Sequence, residues 1–597
     1  MLKKFFLVVC GSFVGSFLAL IFFTITAVLM SFVIFSSMSS SMGVKLEKKS
    51  ILYIRLDGEL NERPSEMSQM MAMIKEEDES QDLSTLIKSL KLAKENENID
   101  GVYLDCRGMA SGMSSLYELR NALIDFKKSK KFVYAFGDEG IMQSDYYLAS
   151  VADSIFLNPE GSVDVHGLGA STPYMKGLLD KVGVEMQVVR VGTFKSAVEP
   201  YMLSEMSDAN RLQQEHYLGS LWGVISKDIA TSRNIDTTAF NQLTDSVMLT
   251  MSSQELLQNK IVDHLCYRTE MEDKLRRLVG VELKDDLSPK LISPSELVLT
   301  DNETKSGDKQ IAVVYATGEI DGSTSVPGMS EEGIDSESLA ATIRTLQYDD
   351  NVKGLVLRVN SPGGSAFGSE VIWKAIEDFK KSGKPVAVSM SDYAASGGYY
   401  ISSGAQRIFA EPTTITGSIG IFGVIPNASN FINNTLGVKF EEVTTNENAI
   451  AGAIYKPLSE KQKAALQRMV ERGYDLFTRR CAVGRKVSQD SIKSIAEGRV
   501  WDGITAKNIG LVDEFGGLQA AIDWVAKKAN LGDDYSITNL PETEMNFQAL
   551  LGQMARSRVE ADMQRRMGMF YTYYEQLQAI LNRDQVLCIM EPVEIDF

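Results

Sequence analysis

At 597 residues the chain is longer than one hydrophobic core supports, so it holds two or more domains. Hydrophobic residues make up 44% and charged residues 23%, which is ordinary for a folded globular protein and excludes a disordered chain. The formal net charge of −18 argues against nucleic acid as the main partner, because binding phosphates needs a basic face.

Lys3 and Lys4 precede a run from Phe5 to Phe35 dominated by Phe, Leu, Val and Ile, and the next charged residue is Lys45. About 20 apolar residues span a bilayer, so residues 1–45 are predicted to form a short cytoplasmic stub and a transmembrane signal anchor. The run is too long for the apolar core of a cleaved signal, and no small-x-small site ends it. Positive charge at the extreme N-terminus stays cytoplasmic, which puts the remainder of the chain outside the cytoplasm.

The body reads as a tandem repeat. NIDGVYLDCRG near Asn98 matches NVKGLVLRVNSPGG near Asn351 (351 − 98 = 253), and the segments around Asp125 and Asp378 match at the same offset (378 − 125 = 253). An earlier pair, ILYIRLDGEL from Ile51 and IAVVYATGEI from Ile311, matches at 260, so the halves differ by small insertions. Strands are predicted over 101–105, 132–136, 354–359 and 386–390, with amphipathic helices over 115–128 and 368–381. Their alternation predicts α/β layers with largely parallel strands, whose functional groups gather at turns leaving the strand C-terminal ends. The predicted division is an N-terminal repeat over 46–299, a linker over 300–310, a C-terminal repeat over 311–540 and a helical C-terminal extension over 541–597.

The most suggestive stretch is VAVSMSDYAASGGYYISSG, from Val386 to Gly404. It reads as a buried strand ending near Met390, a tight turn and a helix from about Ala395. Ser396 sits at the switch, where helix-start N–H groups lack intrahelical partners. That pairs a nucleophile with donors for a developing oxyanion, although close packing of small residues would give the same pattern. The equivalent residue in the first repeat is Gln143 (396 − 253 = 143), and the counterpart of the Ser361-Pro362-Gly363-Gly364 turn is Gly108-Met109-Ala110-Ser111. The first repeat instead carries Lys195 in VRVGTFKSAVEP, where the second has Ala449 in TTNENAIAG; the spacings agree (195 − 143 = 52; 449 − 396 = 53). One repeat has the serine without the lysine, and the other the lysine without the serine. A serine needs a base, and a lysine in an apolar setting serves once burial lowers its pKa.

KSAVEP in the first half, with NSPGGS, DYAASGGYY and TGSIGIFG in the second, resembles the signal peptide peptidase A family in its long, two-repeat form. The likeness runs from about Leu46 to about Leu531 and includes GRVWDGITAKNIGLVDEFG from Gly498. It implies two Clp protease/crotonase-like repeats, a ββα superhelix, and a membrane-anchored serine protease that degrades signal peptides left after cleavage. It also implies a bacterial inner-membrane location with the catalytic body on the periplasmic side, peptide substrates, no nucleic acid, and a homo-oligomer, with a tetramer expected. By this resemblance Ser396 is the nucleophile, Lys195 the general base and proton donor, and Ser418 the residue that orients the lysine. Gly397 and the Gly363-Gly364 turn, Gly364 above all, supply the oxyanion N–H groups. A broad extracytoplasmic quality-control protease and a non-proteolytic crotonase-like membrane scaffold are the competing readings.

Other chemistry is weakly signalled. Cys10, Cys106, Cys266, Cys481 and Cys588 are scattered without a CxxC pair, which suggests neither a zinc site nor a disulfide framework. His166, His216 and His264 all precede the second repeat and read as ordinary structural or surface residues. No phosphate-cradling or dinucleotide fingerprint occurs, so no cofactor and no metal is expected. The segment 546–582, with Phe570, Tyr571, Tyr573 and Tyr574, reads as a helix packed on its own domain.

Overall fold

VKGLVLRVNS (Val352–Ser361) is apolar on both faces, the pattern of a strand inside a covered parallel sheet. It lies between Gln310–Thr317 and Val386–Ala395 and runs parallel to both. Our computed structural model describes residues 46–63, 81–280, 290–301, 309–321, 333–541, 586–591 and 594–596. The predicted membrane span, most of the predicted linker and the segment 546–582, expected as a helix, lie outside them. No helix among the described residues is long and apolar enough to cross a membrane.

Two mixed α/β layers carry the architecture. The first sheet has six parallel strands, in the order Leu291–Ile292, Ser50–Glu59, Ile99–Ala110, Phe132–Gly137, Ser154–Leu157 and His264–Leu265. The second is centred on Gln310–Thr317, Val352–Ser361 and Val386–Ala395. The repeat read from the sequence recurs element by element. Helices Leu83–Glu95 and Ser336–Tyr348 start 336 − 83 = 253 residues apart, strands Ile99–Ala110 and Val352–Ser361 start 352 − 99 = 253 apart, and helices Met113–Lys127 and Ala366–Lys381 start 366 − 113 = 253 apart. By helices Arg268–Leu278 and Leu518–Lys528 the offset has slipped to 518 − 268 = 250.

A third sheet joins the halves. Its four antiparallel strands are, in order, Gly363–Ser365 (the turn strand), Val586–Ile589 (the tail strand), Ile421–Asn427 (the return strand) and Glu185–Val191 (the lysine strand). The lysine strand belongs to the first half, and seven of its residues pair with the return strand, from Val191 opposite Ile421 to Glu185 opposite Asn427.

Two predicted boundaries need correction. The strand before Ser396 does not stop at Met390 but runs Val386–Ala395 (the serine strand), and the helix begins at Gly397. Small helix-tolerant residues stay extended there because Tyr393–Ala395 pair with Ile415–Gly417, so tertiary pairing overrides local preference. The C-terminal extension is not wholly helical: its described residues form the tail strand and Glu594–Asp596, which pairs with Gly169–Ser171 of the first half.

Buried charge also ties the halves together. Arg358, on the strand Val352–Ser361, donates to Glu62 (2.9 and 3.1 Å) and Glu118 (2.7 Å) of the first half, and to Ser389 and Ser391 of its own. Nearby, Asp392 accepts the N–H groups of Ser114 (2.8 Å) and Ser115 (3.0 Å), at the start of helix Met113–Lys127. A Cβ at Gly112 would lie 2.1 Å from the Asp392 carboxyl carbon, so only glycine allows this approach.

Candidate active site

Ser396 stands between the serine strand and the short helix Gly397–Ser402, with φ 55° and ψ −112°. Positive φ is unfavourable for a side-chain-bearing residue and costs about 1–3 kcal/mol, so the surroundings must impose it. They do so through the parallel pairing of Ala395 with Gly417 and the Ser396 N–H bond to the Gly417 carbonyl (2.8 Å). Ser418, on the next residue, is also at positive φ (48°), and its N–H is held by the Arg499 carbonyl at 2.7 Å.

Lys195 arrives from the other half. The lysine strand ends at Val191 and turns through Gly192, at φ 111°, where a Cβ would lie 2.4 Å from the Glu497 backbone. Phe194 then donates its N–H to the Glu497 carbonyl (3.0 Å), and Gly498 packs so closely on Lys195 that a Cβ there would lie 2.7 Å from the lysine Cβ. The side chain ends with Nζ 2.8 Å from Ser396 Oγ, 2.9 Å from Ser418 Oγ and 3.1 Å from the Ser418 carbonyl oxygen. Lys195 is 1% exposed, Ser396 0% and Ser418 1%.

Electrostatics follow from that enclosure. Burial lowers the Lys195 pKa to about 7, and the neighbouring Cys588 opposes the shift only weakly. The three groups bonded to the ammonium are two hydroxyls and a carbonyl, with no carboxylate to hold its charge. An amine that is half neutral near pH 7 and touches a hydroxyl can take its proton.

The predicted oxyanion glycines converge on the same place. Gly363 has φ 106° and Gly364 φ 152°. A Cβ on Gly363 would lie 2.7 Å from the Gly397 nitrogen, and one on Gly364 would lie 2.2 Å from the Ile320 carbonyl oxygen. Gly363 turns its N–H towards Ser361 Oγ (3.2 Å), whereas the Gly364 N–H faces Cys588 of the tail strand. Thus Ser396, Lys195, Ser418, Gly397, Gly363 and Gly364 all meet at one site. The histidines bond elsewhere: His166 to Asp164, His216 to Thr505, and His264 stacks on Phe156.

The corresponding place in the first repeat is sealed. Gln143 accepts the N–H groups of His166 and Gly167 (both 2.9 Å) and donates to the Gly167 carbonyl (2.8 Å). Asp145 fills the turn above, accepting the Gly108 and Met109 N–H groups at 2.7 and 3.0 Å, and burial pushes its pKa up to about 7. Ala449, aligned with Lys195, is exposed. Gln143→Ala is therefore expected to leave the activity per folded molecule unchanged and to lower stability by about 1–3 kcal/mol, the cost of unpaired buried donors and acceptors. Urea unfolding beside active-site titration checks both parts.

Sequence reading missed the residues that hold the lysine loop. Arg190 donates to the Lys195 carbonyl (3.1 Å). Gln213, buried on helix Asp208–Arg233, donates to the Phe194 carbonyl (3.2 Å) and Ser196 Oγ (3.0 Å), and accepts the Val500 N–H (3.1 Å). A lone glutamine on a long helix carries no local signal of such a role. The tail strand was also missed, although VLCIM is a short apolar run in a polar tail.

The model of peptidase family S49 matches residues 125–282 and again 378–532, once in each repeat. The chain is 37% identical over 456 residues to "Protease 4" of Salmonella typhi, covering 75% of this chain and 72% of that protein. It is 34% identical over 539 residues to "Protease 4" of Haemophilus influenzae, covering 87% and 85%. Among solved structures, ClpP1 from Listeria monocytogenes is similar over 35% of this chain and 94% of its own, at 16% identity and a TM-score of 0.23.

Proposed function

Since the chain belongs to peptidase family S49 and is a serine protease, we propose that it works through a Ser396/Lys195 dyad as a membrane-anchored endopeptidase for signal peptides and other apolar peptides outside the cytoplasm. The observation that carries this reading is the 2.8 Å contact between Lys195 Nζ and Ser396 Oγ, two buried side chains brought together from different repeats.

In this reading neutral Lys195 removes the Ser396 proton as Oγ attacks the scissile carbonyl. The Gly397 and Gly364 N–H groups receive the oxyanion. Collapse leaves an acyl-enzyme on Ser396 while the lysine ammonium protonates the departing amine. The amine form of Lys195 then activates water, which releases the acid. Ser418 bonds the lysine in both protonation states and keeps it aimed at Oγ. The N-terminal run from Phe5 to Phe35 supports anchoring next to apolar substrates. The same reading takes the halves as Clp protease/crotonase-like repeats and the enzyme as a homotetramer, to be weighed by light scattering.

Cleavage of a synthetic apolar signal peptide, with products identified by mass spectrometry, tests the proposal. Ser396→Ala should abolish product formation; persistent cleavage by that variant refutes it. The pH profile follows from the lowered lysine pKa. Below about 7 the ammonium cannot accept a proton, so kcat/KM should fall about tenfold per unit as the pH drops, and should level off above about 8. A flat profile between about pH 5 and about pH 8 would exclude Lys195 as the base.

A further inference from the structure

Arg499 precedes the strand Val500–Asp502, in the GRVWDG stretch that the dyad chemistry leaves unused. Its backbone belongs to the catalytic surroundings. The Arg499 carbonyl accepts the Ser418 N–H (2.7 Å), and Gly498 before it packs on the Cβ of Lys195. Its side chain is held by two rings. The guanidinium carbon lies 4.8 Å from the ring centre of Phe194, the residue before Lys195, and 4.2 Å from that of Trp501. Stacking on aromatic faces fixes the plane of a guanidinium and leaves its edge for a planar acceptor.

This cation has no counter-ion among the described residues. Arg233, Arg268, Arg480 and Arg485, half-buried like Arg499, each reach a carboxylate. The Arg499 guanidinium bonds no carboxylate, carbonyl or hydroxyl of the described residues, and its Nε is enclosed without an acceptor. Burial lowers its pKa, and no charged neighbour offsets the loss. Asp502, three residues on, is taken by Ser220 (2.8 Å) and Thr505 (2.7 Å). A desolvated donor left unpaired is costly, so its persistence beside the reacting groups points to a ligand.

We propose that Arg499 is a receptor for a carboxylate on the leaving side of the peptide, and that its ligand is the C-terminal carboxylate of a signal peptide already cut from its preprotein. This rests on the peptidase reading, in which Lys195 protonates the departing amine, so the leaving segment passes the loop that carries Phe194 and Lys195. A planar guanidinium takes a carboxylate through two parallel N–H···O bonds. The same signal sequence inside an intact preprotein ends in no such group, so the site favours the cut peptide over the uncut chain. An acidic side chain at the same distance offers the same chemistry, and the test separates the two sources.

The test compares synthetic apolar signal peptides of one sequence: the free acid, the C-terminal amide, and the amide with Glu as its last residue. For each, kcat/KM is read with the full chain, and binding to the Ser396→Ala chain is read by anisotropy of an N-terminal fluorophore. The wild type should prefer the acid to the amide by about 10-fold or more, the range of a charge-assisted pair, with the difference in KM. In Arg499→Met that ratio should fall to about one. Because it is a ratio within one preparation, partial unfolding of the variant does not move it. A guanidinium that only spaces Phe194 from Trp501 would lower both rates and leave the ratio unchanged. A gain for the acid alone assigns the main-chain end as ligand, and an equal gain for the Glu-ended amide, also lost in Arg499→Met, assigns any carboxylate at that distance. Equal cleavage of acid and amide by the wild type, or an acid preference that survives Arg499→Met, would overturn the receptor and leave the peptidase intact. Tighter binding of the acid to Ser396→Ala, with cleavage of no peptide by the wild type, would uphold the receptor and refute the peptidase reading.

Discussion

Replacing Lys195 by alanine or methionine is expected to lower kcat/KM on a peptide substrate by about 10⁴-fold, comparable to disabling the base of a serine hydrolase that keeps its oxyanion donors. The loss should appear in kcat, because the amine moves protons in the chemical steps and does not hold the substrate in the ground state. Lys195→Arg should be as inactive, since a guanidinium stays protonated and cannot act as base. These variants should not unfold the protein. Lys195 is buried with no carboxylate among its bonded groups, so its charge weakens the fold, and a methionine of similar shape removes that cost. A thermal midpoint equal to or above that of the wild type, together with the lost activity, is the expected combination. It would show that stability is given up at this position for chemistry.

The second large effect is on the joint between the halves. Arg358→Ala leaves Glu62 and Glu118 buried without their shared cation, and breaking a buried ion pair on one side costs about 3–5 kcal/mol. Burial already raises the Glu118 pKa despite Arg358, so removing the cation raises it further. A carboxyl whose folded pKa exceeds its unfolded value supports the fold less as pH rises. The deficit of Arg358→Ala should therefore grow between about pH 5 and about pH 8, which urea unfolding at several pH values measures. Activity should fall by more than the folded fraction does. Arg358 lies two residues before Asn360, which accepts the Tyr393 N–H (3.1 Å) on the serine strand, so a looser joint moves Ser396 relative to Lys195.

Much of this was legible in the sequence, for physical reasons. The offset of 253 survives because each strand-helix unit must bury the same faces, and it is obeyed from Leu83 to the strand Arg407–Ala410. The contact between Lys195 and Ser396 was legible because one repeat carries the serine without the lysine and the other the lysine without the serine. The serine strand was read too short because Ala394 and Ala395 carry no strand preference of their own; their extended form comes from Ile415–Gly417, more than twenty residues away. The pairing of the lysine strand with the return strand was not foreseen, since it joins residues more than two hundred positions apart and depends on register alone. Arg190 and Gln213 escaped for a related reason: each acts on a carbonyl that only the folded chain brings near. The tail strand could have been suspected from VLCIM, but nothing local says which edge such a strand will join.

Mass spectrometry after treatment with a serine-reactive phosphonate tests the dyad most directly. The expected result is a single adduct on Ser396 in the wild-type chain, forming faster as pH rises through about 7 and absent from Lys195→Ala. An adduct on Ser396 that forms equally fast in Lys195→Ala, or an adduct on a different serine, would contradict it.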